Sequence, residues 1–201
     1  MCMTFLRYQE KYESPNPKFR GTHFTIVDFM EWYAKDHKGV FTYTTDWGGF
    51  NVPSTIFEGN WFYYIPDKNK YDYLMLSVYY DIWHDIKYGD NSFLTTGKAI
   101  KANPKFYLVG AVDERCLNHE IAHGLYFLNP SYKKKMNALI KALPYGVEAK
   151  MHNWLLSMGY TWQVIKDEIQ AYFSTGAPEN LRIAKKYLKP FEEVYKNARN
   201  S

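Results

Sequence analysis

The chain has 201 residues, 46% of them hydrophobic and 23% charged, an ordinary balance for a folded domain that excludes a disordered or low-complexity chain. A net charge of +4 is too small for the one-sided basic footprint of a nucleic-acid binder. No run approaches the roughly 18 apolar residues of a membrane-spanning helix, and two cysteines, Cys2 and Cys116, cannot build a disulfide framework.

The N-terminus turns polar after Leu6, without the apolar run of a signal peptide. The expectation is therefore a single domain over residues 1–201, cytoplasmic, with neither nucleic acid nor membrane as a partner. Aromatic residues make up 19% of the chain, so large amphipathic rings are available first for core packing and second for a peptide-binding groove.

In chain order, residues 13–21 read as a loop, because two prolines and a glycine interrupt regular structure. Thr25 with Asp28 three residues on is a helix start, and Ile26, Met30 and Tyr33 continue it to about His37, before Gly39. Val40–Thr45 is β-branched and aromatic and predicts a strand. The glycine-rich stretch 46–53 predicts a loop, and residues 55–65 fit helix or strand equally. Leu74, Val78 and Ile82 recur every four residues and predict a helix over 70–87, broken at Gly89–Ser92. Lys105–Val112 is a second strand. Helices over 114–128, 131–142, 145–158, 161–175 and 179–198 follow, punctuated by Asn129-Pro130, Pro144, Gly159 and Gly176, with a kink at Pro190. The predicted class is α+β: a small N-terminal sheet and a mostly helical C-terminal half that carries the chemistry.

Within the helix over 114–128 lies His119-Glu120-Ile121-Ala122-His123. Residues four apart share a helix face, so both imidazoles can reach one ion. Zinc takes nitrogen ligands in a tetrahedral shell and, in catalytic sites, keeps one position for water. Glu120 lies beside the first ligand and can take a proton from that water. A third protein ligand has to come from elsewhere. Glu168, 45 residues beyond His123 on the helix over 161–175, is the first candidate, with Asp167 as its local rival. Glu148 and His152 form another pair four apart and are weaker alternatives. Cys116, three residues before His119, reads better as a small buried thiol than as a ligand. Hydrolysis also needs a donor to the tetrahedral oxyanion. Tyr172, one turn after Glu168, is named first, ahead of Tyr160 and His152. His84, His23 and His37 read as local or exposed.

His119-Glu120-x-x-His123 with a later helical Glu resembles the gluzincin metallopeptidases, the thermolysin-like zincins. Asp167-Glu168-Ile169-Gln170-Ala171-Tyr172 is similar to the Glu-bearing helix of small bacterial and phage members of that group. The resemblance covers residues 114–128 and 161–175. It implies a zincin-like core with a sheet beside the active-site helix, Zn²⁺ held by His119, His123 and Glu168, Glu120 as general base, and a peptide or protein substrate. Thermolysin-like enzymes often carry an Asp four residues after the ligand Glu to orient a ligand histidine. Tyr172 stands there in this chain, and Asp167 is the other acid available for that task. The substrate strand expected of such enzymes would pair with Lys105–Val112. The same motif also suits a zinc hydrolase of non-peptide amides or esters, or a non-catalytic zinc-containing protein-binding module.

Overall fold

The computed structural model describes residues 2–46, 48–88 and 105–200. Its first element is a helix that the sequence does not announce, α1 (Cys2–Glu13). The face that α1 buries is largely polar: Thr4, Arg7, Gln9 and Glu10 are all buried beside Leu6 and Tyr8. An apolar stripe at helical spacing is therefore absent from its sequence. Arg7 is balanced by Asp72, at 3.0 Å, and by Asp67, while the Tyr8 hydroxyl donates to Asp72 at 2.8 Å.

The Thr25 start signal is realised in α2 (Ile26–Asp36), where the Thr25 side chain accepts from the Asp28 amide. The strand expected over 40–45 does not form. Residues Tyr43–Asp46 instead make a single helical turn, α3. The Thr42 hydroxyl donates to Asp46 and Thr45 donates to the Thr42 carbonyl, while Tyr43 is buried against Phe29 and Tyr33. Local side-chain bonds and burial of one ring thus outweigh β-propensity.

The stretch expected to be a loop contains a strand, β1 (Gly49–Pro53). It pairs antiparallel with β2 (Tyr107–Ala111), Gly49 opposite Ala111 and Pro53 opposite Tyr107. These two strands are the whole sheet among the described residues, so the class is α+β with a two-stranded sheet. Gly110 is required by this pairing: a Cβ there would run into the Phe50 ring of the opposite strand. A short 3₁₀ turn, Ser54–Phe57, begins the ambiguous stretch, and turns rather than a strand follow it.

The periodicity over 70–87 is realised in α4 (Lys70–Tyr88). Asn69 caps it by accepting from the Tyr71 amide, and Asp72 reaches back to the Asn69 amide, a reciprocal capping box. The break expected at Gly89–Ser92 lies outside the described residues, as does Trp47. Helices α5 (Glu114–Leu128), α6 (Pro130–Lys141) and α7 (Tyr145–Ser157) follow the sequence expectation closely. Asn129 ends α5 and caps α6, with Pro130 in the first turn. α8 starts later than expected, at Ile165, and runs to Thr175. The last segment is divided: a 3₁₀ turn, Glu179–Leu181, ends at Arg182 in the left-handed region, and α9 (Lys185–Arg199) follows with Pro190 inside it.

Three buried clusters result. One joins α5, α6, α7, α8 and α9 around Tyr132, Met136, Met151, Leu155 and Phe173. A second packs Tyr8, Val52, Phe57, Trp61 and Phe106 together, and a third gathers Leu6, Phe19, Phe24, Phe29, Tyr33 and Tyr43. α1 supplies Tyr8 to the second and Leu6 to the third. No helix among the described residues is long and apolar enough to cross a membrane.

Asp72 both caps α4 and neutralises the buried Arg7. Asp72→Ala should therefore cost about 3 kcal/mol, the scale for stranding one buried partner of an ion pair. Removing Glu193 from its exposed pair with Lys189 should leave the denaturant midpoint unchanged. Urea unfolding of the two variants checks this contrast.

Candidate metal centre

The site is made where α8 lies against α5. α5 is held open at its N-terminus by Asp113, whose carboxylate accepts from the Cys116 amide at 2.8 Å. From there Cys116, His119, Glu120 and His123 succeed one another along one face. The neighbouring helix positions are closed by packing: Ala122 is fully buried, and the Tyr107 ring lies 3.4 Å from where a Cβ on Gly124 would stand.

His119, His123 and Glu168 come together so that one ligand atom of each lies within 4.8 Å of the others. The two Nε2 atoms are 3.2 Å apart; Glu168 Oε2 is 3.6 Å from His119 Nε2, and Glu168 Oε1 is 3.6 Å from His123 Nε2. Four ligands at the usual zinc distances are separated by about 3.3 Å along each tetrahedral edge. The two imidazoles and the carboxylate therefore stand close enough to converge on one ion.

Hydrogen bonding on the far side of each ring fixes which nitrogen faces inward. His123 Nδ1 lies 2.8 Å from Asp167, a carboxylate that can only accept. His119 Nδ1 lies 3.4 Å from the Thr175 hydroxyl, whose own proton goes to the Ala171 carbonyl. Both outer nitrogens are thereby donors, and the two Nε2 atoms face each other across the cluster. Glu168 Oε2 is buried and has no hydrogen-bond partner. Two facing imidazole nitrogens and a buried carboxylate oxygen without a hydrogen bond make a site that favours positive charge. The basicity of His123 reflects this: burial opposes a charged ring, but the Asp167 and Glu168 carboxylates outweigh it and hold its pKa well above the ordinary histidine value. The donor set of two imidazoles and a carboxylate fits zinc.

Asp167 lies beside the cluster as the orienting acid. It is itself fixed by Gln170, a buried side chain that sequence reasoning overlooked. Gln170 Nε2 donates to Asp167 at 3.0 Å and to the Ala122 carbonyl at 3.2 Å, and its Oε1 accepts from the Tyr132 hydroxyl at 2.8 Å. The signal available in the sequence was the spacing of three from Asp167 to Gln170 on one helix face.

Glu120 points to the side of the cluster that opens on a cleft of about 510 Å³. Its carboxylate accepts from the Asn51 amide at 2.9 Å, and Asn51 accepts in turn from the Tyr107 hydroxyl at 2.6 Å. Burial raises the Glu120 pKa; the nearby imidazoles and the Asn51 bond act the other way. Tyr172 lines the same cleft, with its ring edge against His119 at 4.6 Å between centroids and its hydroxyl bonded to that of Tyr160. Burial, chiefly, and the Glu168 carboxylate push its pKa up to about 12, so it carries its proton at neutral pH.

Other sequence candidates fall elsewhere. Glu148 and His152 belong neither to the cluster nor to the cleft lining. Cys116 lines the cleft but is not part of the ligand group. His37, expected to be merely local, stacks on Tyr33 and reaches the cleft wall. The strand that borders the cleft is β1, through Gly49 and Asn51, with Gly48 just before it, whereas no residue of the Lys105–Val112 strand favoured from sequence lines it. Glu13 of α1 also reaches the cleft, its pKa raised well above the usual carboxylate range by burial and by Glu168.

Compared with protein-family models, curated proteins and solved structures, the chain gives no match to any of them.

Gln170→Ala should release Asp167 and loosen the His123 ring. The expected outcome is a zinc affinity lower by about 10- to 100-fold, the usual effect of removing a group that orients a ligand, measured by competition with a chromogenic chelator. Glu168→Ala should abolish high-affinity binding in the same assay.

Proposed function

We propose that the chain is a zinc-dependent peptidase with a zincin-like core of the gluzincin type, in which His119, His123 and Glu168 hold the ion. One observation carries this reading: His119, His123 and Glu168 line a cleft that Glu120 and Tyr172 line with them. A purely structural site would be closed by a fourth side chain, and it would have no use for a carboxylate held beside the open position.

Zinc at such a site supplies Lewis acidity, lowering the pKa of a water to about 7 and polarising a carbonyl. The remaining tasks fall to the chain. Glu120 takes a proton from the attacking water and returns it to the leaving amine, so the scissile C–N bond breaks with a neutral leaving group. Its raised pKa suits both halves of that exchange, since a weakly basic carboxylate would be slow to accept the proton. Tyr172 keeps its proton and can donate a hydrogen bond to the oxyanion that forms on the carbonyl. Asp167 and Thr175 hold the two imidazoles in the tautomer that leaves Nε2 free. The cleft, bordered by β1, gives an extended peptide a place to lie.

Glu120→Gln should keep its zinc but lose at least about 100-fold in kcat/KM on peptides. Tyr172→Phe should lower kcat by about 10- to 100-fold with little change in KM. A mixture-based fluorogenic peptide library, with amide and ester substrates alongside, provides the assay. Full turnover in Glu120→Gln would remove the proposed mechanism, and cleavage of esters but no peptide would remove the peptidase assignment.

A further inference from the structure

Glu120 is gripped by β1 in a way that the ligand cluster does not require. Two residues of that strand, spaced by two and therefore on one face, meet its carboxylate. Asn51, buried, donates from Nδ2 to Glu120 Oε2 at 2.9 Å. Gly49 lies under the other oxygen so closely that a Cβ would collide with Oε1. The Asn51 amide could in principle turn over and present its oxygen, which would repel a carboxylate. The Tyr107 hydroxyl prevents this by donating to Asn51 Oδ1 at 2.6 Å, reaching diagonally from its place opposite Pro53. Tyr107 is anchored in turn, its ring against Gly124 of α5 and against Phe127.

We propose that Asn51, set by Tyr107, is a positioning residue that aims Glu120 at the open side of the metal centre. The inference rests on the peptidase reading for its kinetic consequences but not for its geometry. A carboxylate on a flexible side chain has several rotamers, and only a narrow range places it beside the reacting water. The Asn51 amide selects that range by holding one oxygen. Gly49 allows the other to lie close against the strand, and the side chain lines the cleft. Asn51 touches neither histidine nor Glu168 in this network, so it acts through Glu120 alone.

The test compares zinc-loaded crystal structures and steady-state kinetics of the full chain with Asn51→Leu, Tyr107→Phe and the double variant. Leu keeps the branched outline of Asn and removes both its donor and its acceptor; Tyr107→Phe removes only the hydroxyl and keeps the ring packing. In Asn51→Leu the Glu120 carboxylate should leave its wild-type position while His119, His123 and Glu168 stay in place and zinc remains one per chain. The kinetic counterpart is a fall in kcat of about 100-fold at unchanged KM. Tyr107→Phe should lower kcat by about 10-fold, and the double variant should match Asn51→Leu alone, because Tyr107 acts through Asn51. A Glu120 carboxylate that keeps its position in Asn51→Leu overturns the proposal, and so do additive effects in the double variant. Should the wild type cleave no peptide, the peptidase reading falls by itself, and the position of Glu120 in the crystals still decides the role of Asn51.

Discussion

The molecule's organisation around its cleft depends on one buried carboxyl group. Glu168 is almost wholly enclosed between α5 and α8, and one of its oxygens has no hydrogen-bond donor at all. Burying a carboxylate is costly unless opposite charge or donors face it. Here the nearest polar atoms are two imidazole nitrogens whose outer faces are already committed to Asp167 and Thr175. Positive charge between the three side chains can come from the His123 ring, whose pKa the Asp167 and Glu168 carboxylates hold well above the ordinary histidine value. Under the function proposed above, a divalent cation would take that place.

Two side-chain relays with the same logic surround that centre. On one side Tyr132 donates to the amide oxygen of Gln170, whose nitrogen then faces Asp167 and, through it, His123. On the other, Tyr107 donates to the amide oxygen of Asn51, whose nitrogen then faces Glu120. In each a phenol fixes the sense of an amide and the amide fixes a carboxylate. Amides are suited to this because their two ends differ in polarity while their shape does not. The relays also tie the site to the fold. Tyr132 belongs to the helical core, while Asn51 and Tyr107 belong to the two-stranded sheet, so both halves of the chain converge on the same few side chains.

Much of the helical half could be read from sequence because its information is local. His119, Glu120 and His123 are fixed by spacing on a single helix, Asp113 and Asn129 mark the ends of that helix, and Asp167 and Glu168 stand on a second helix with clear punctuation. The N-terminal half was less legible for identifiable reasons. α1 buries Thr4, Arg7, Gln9 and Glu10, so its inward face looks like a solvated one. β1 contains two of the residues that make a loop, Gly49 and Pro53, and it is a strand only because β2 arrives from the distant second half to pair with it. Asn51 could not be singled out for the same reason: its importance comes from what that pairing places beside it. The segment Val40–Thr45 erred in the opposite sense, since its strand-forming residues were claimed by a ring cluster and by threonine hydroxyls closing a turn.

The central claim concerns the identity of three donor atoms, and X-ray absorption at the zinc edge reads them directly. The account predicts one zinc per chain with two imidazole nitrogens and carboxylate or water oxygen at about 2.0–2.1 Å, and no sulfur. A protein that takes up no zinc, or one whose spectrum shows sulfur at about 2.3 Å and so places Cys116 in the shell, would contradict it.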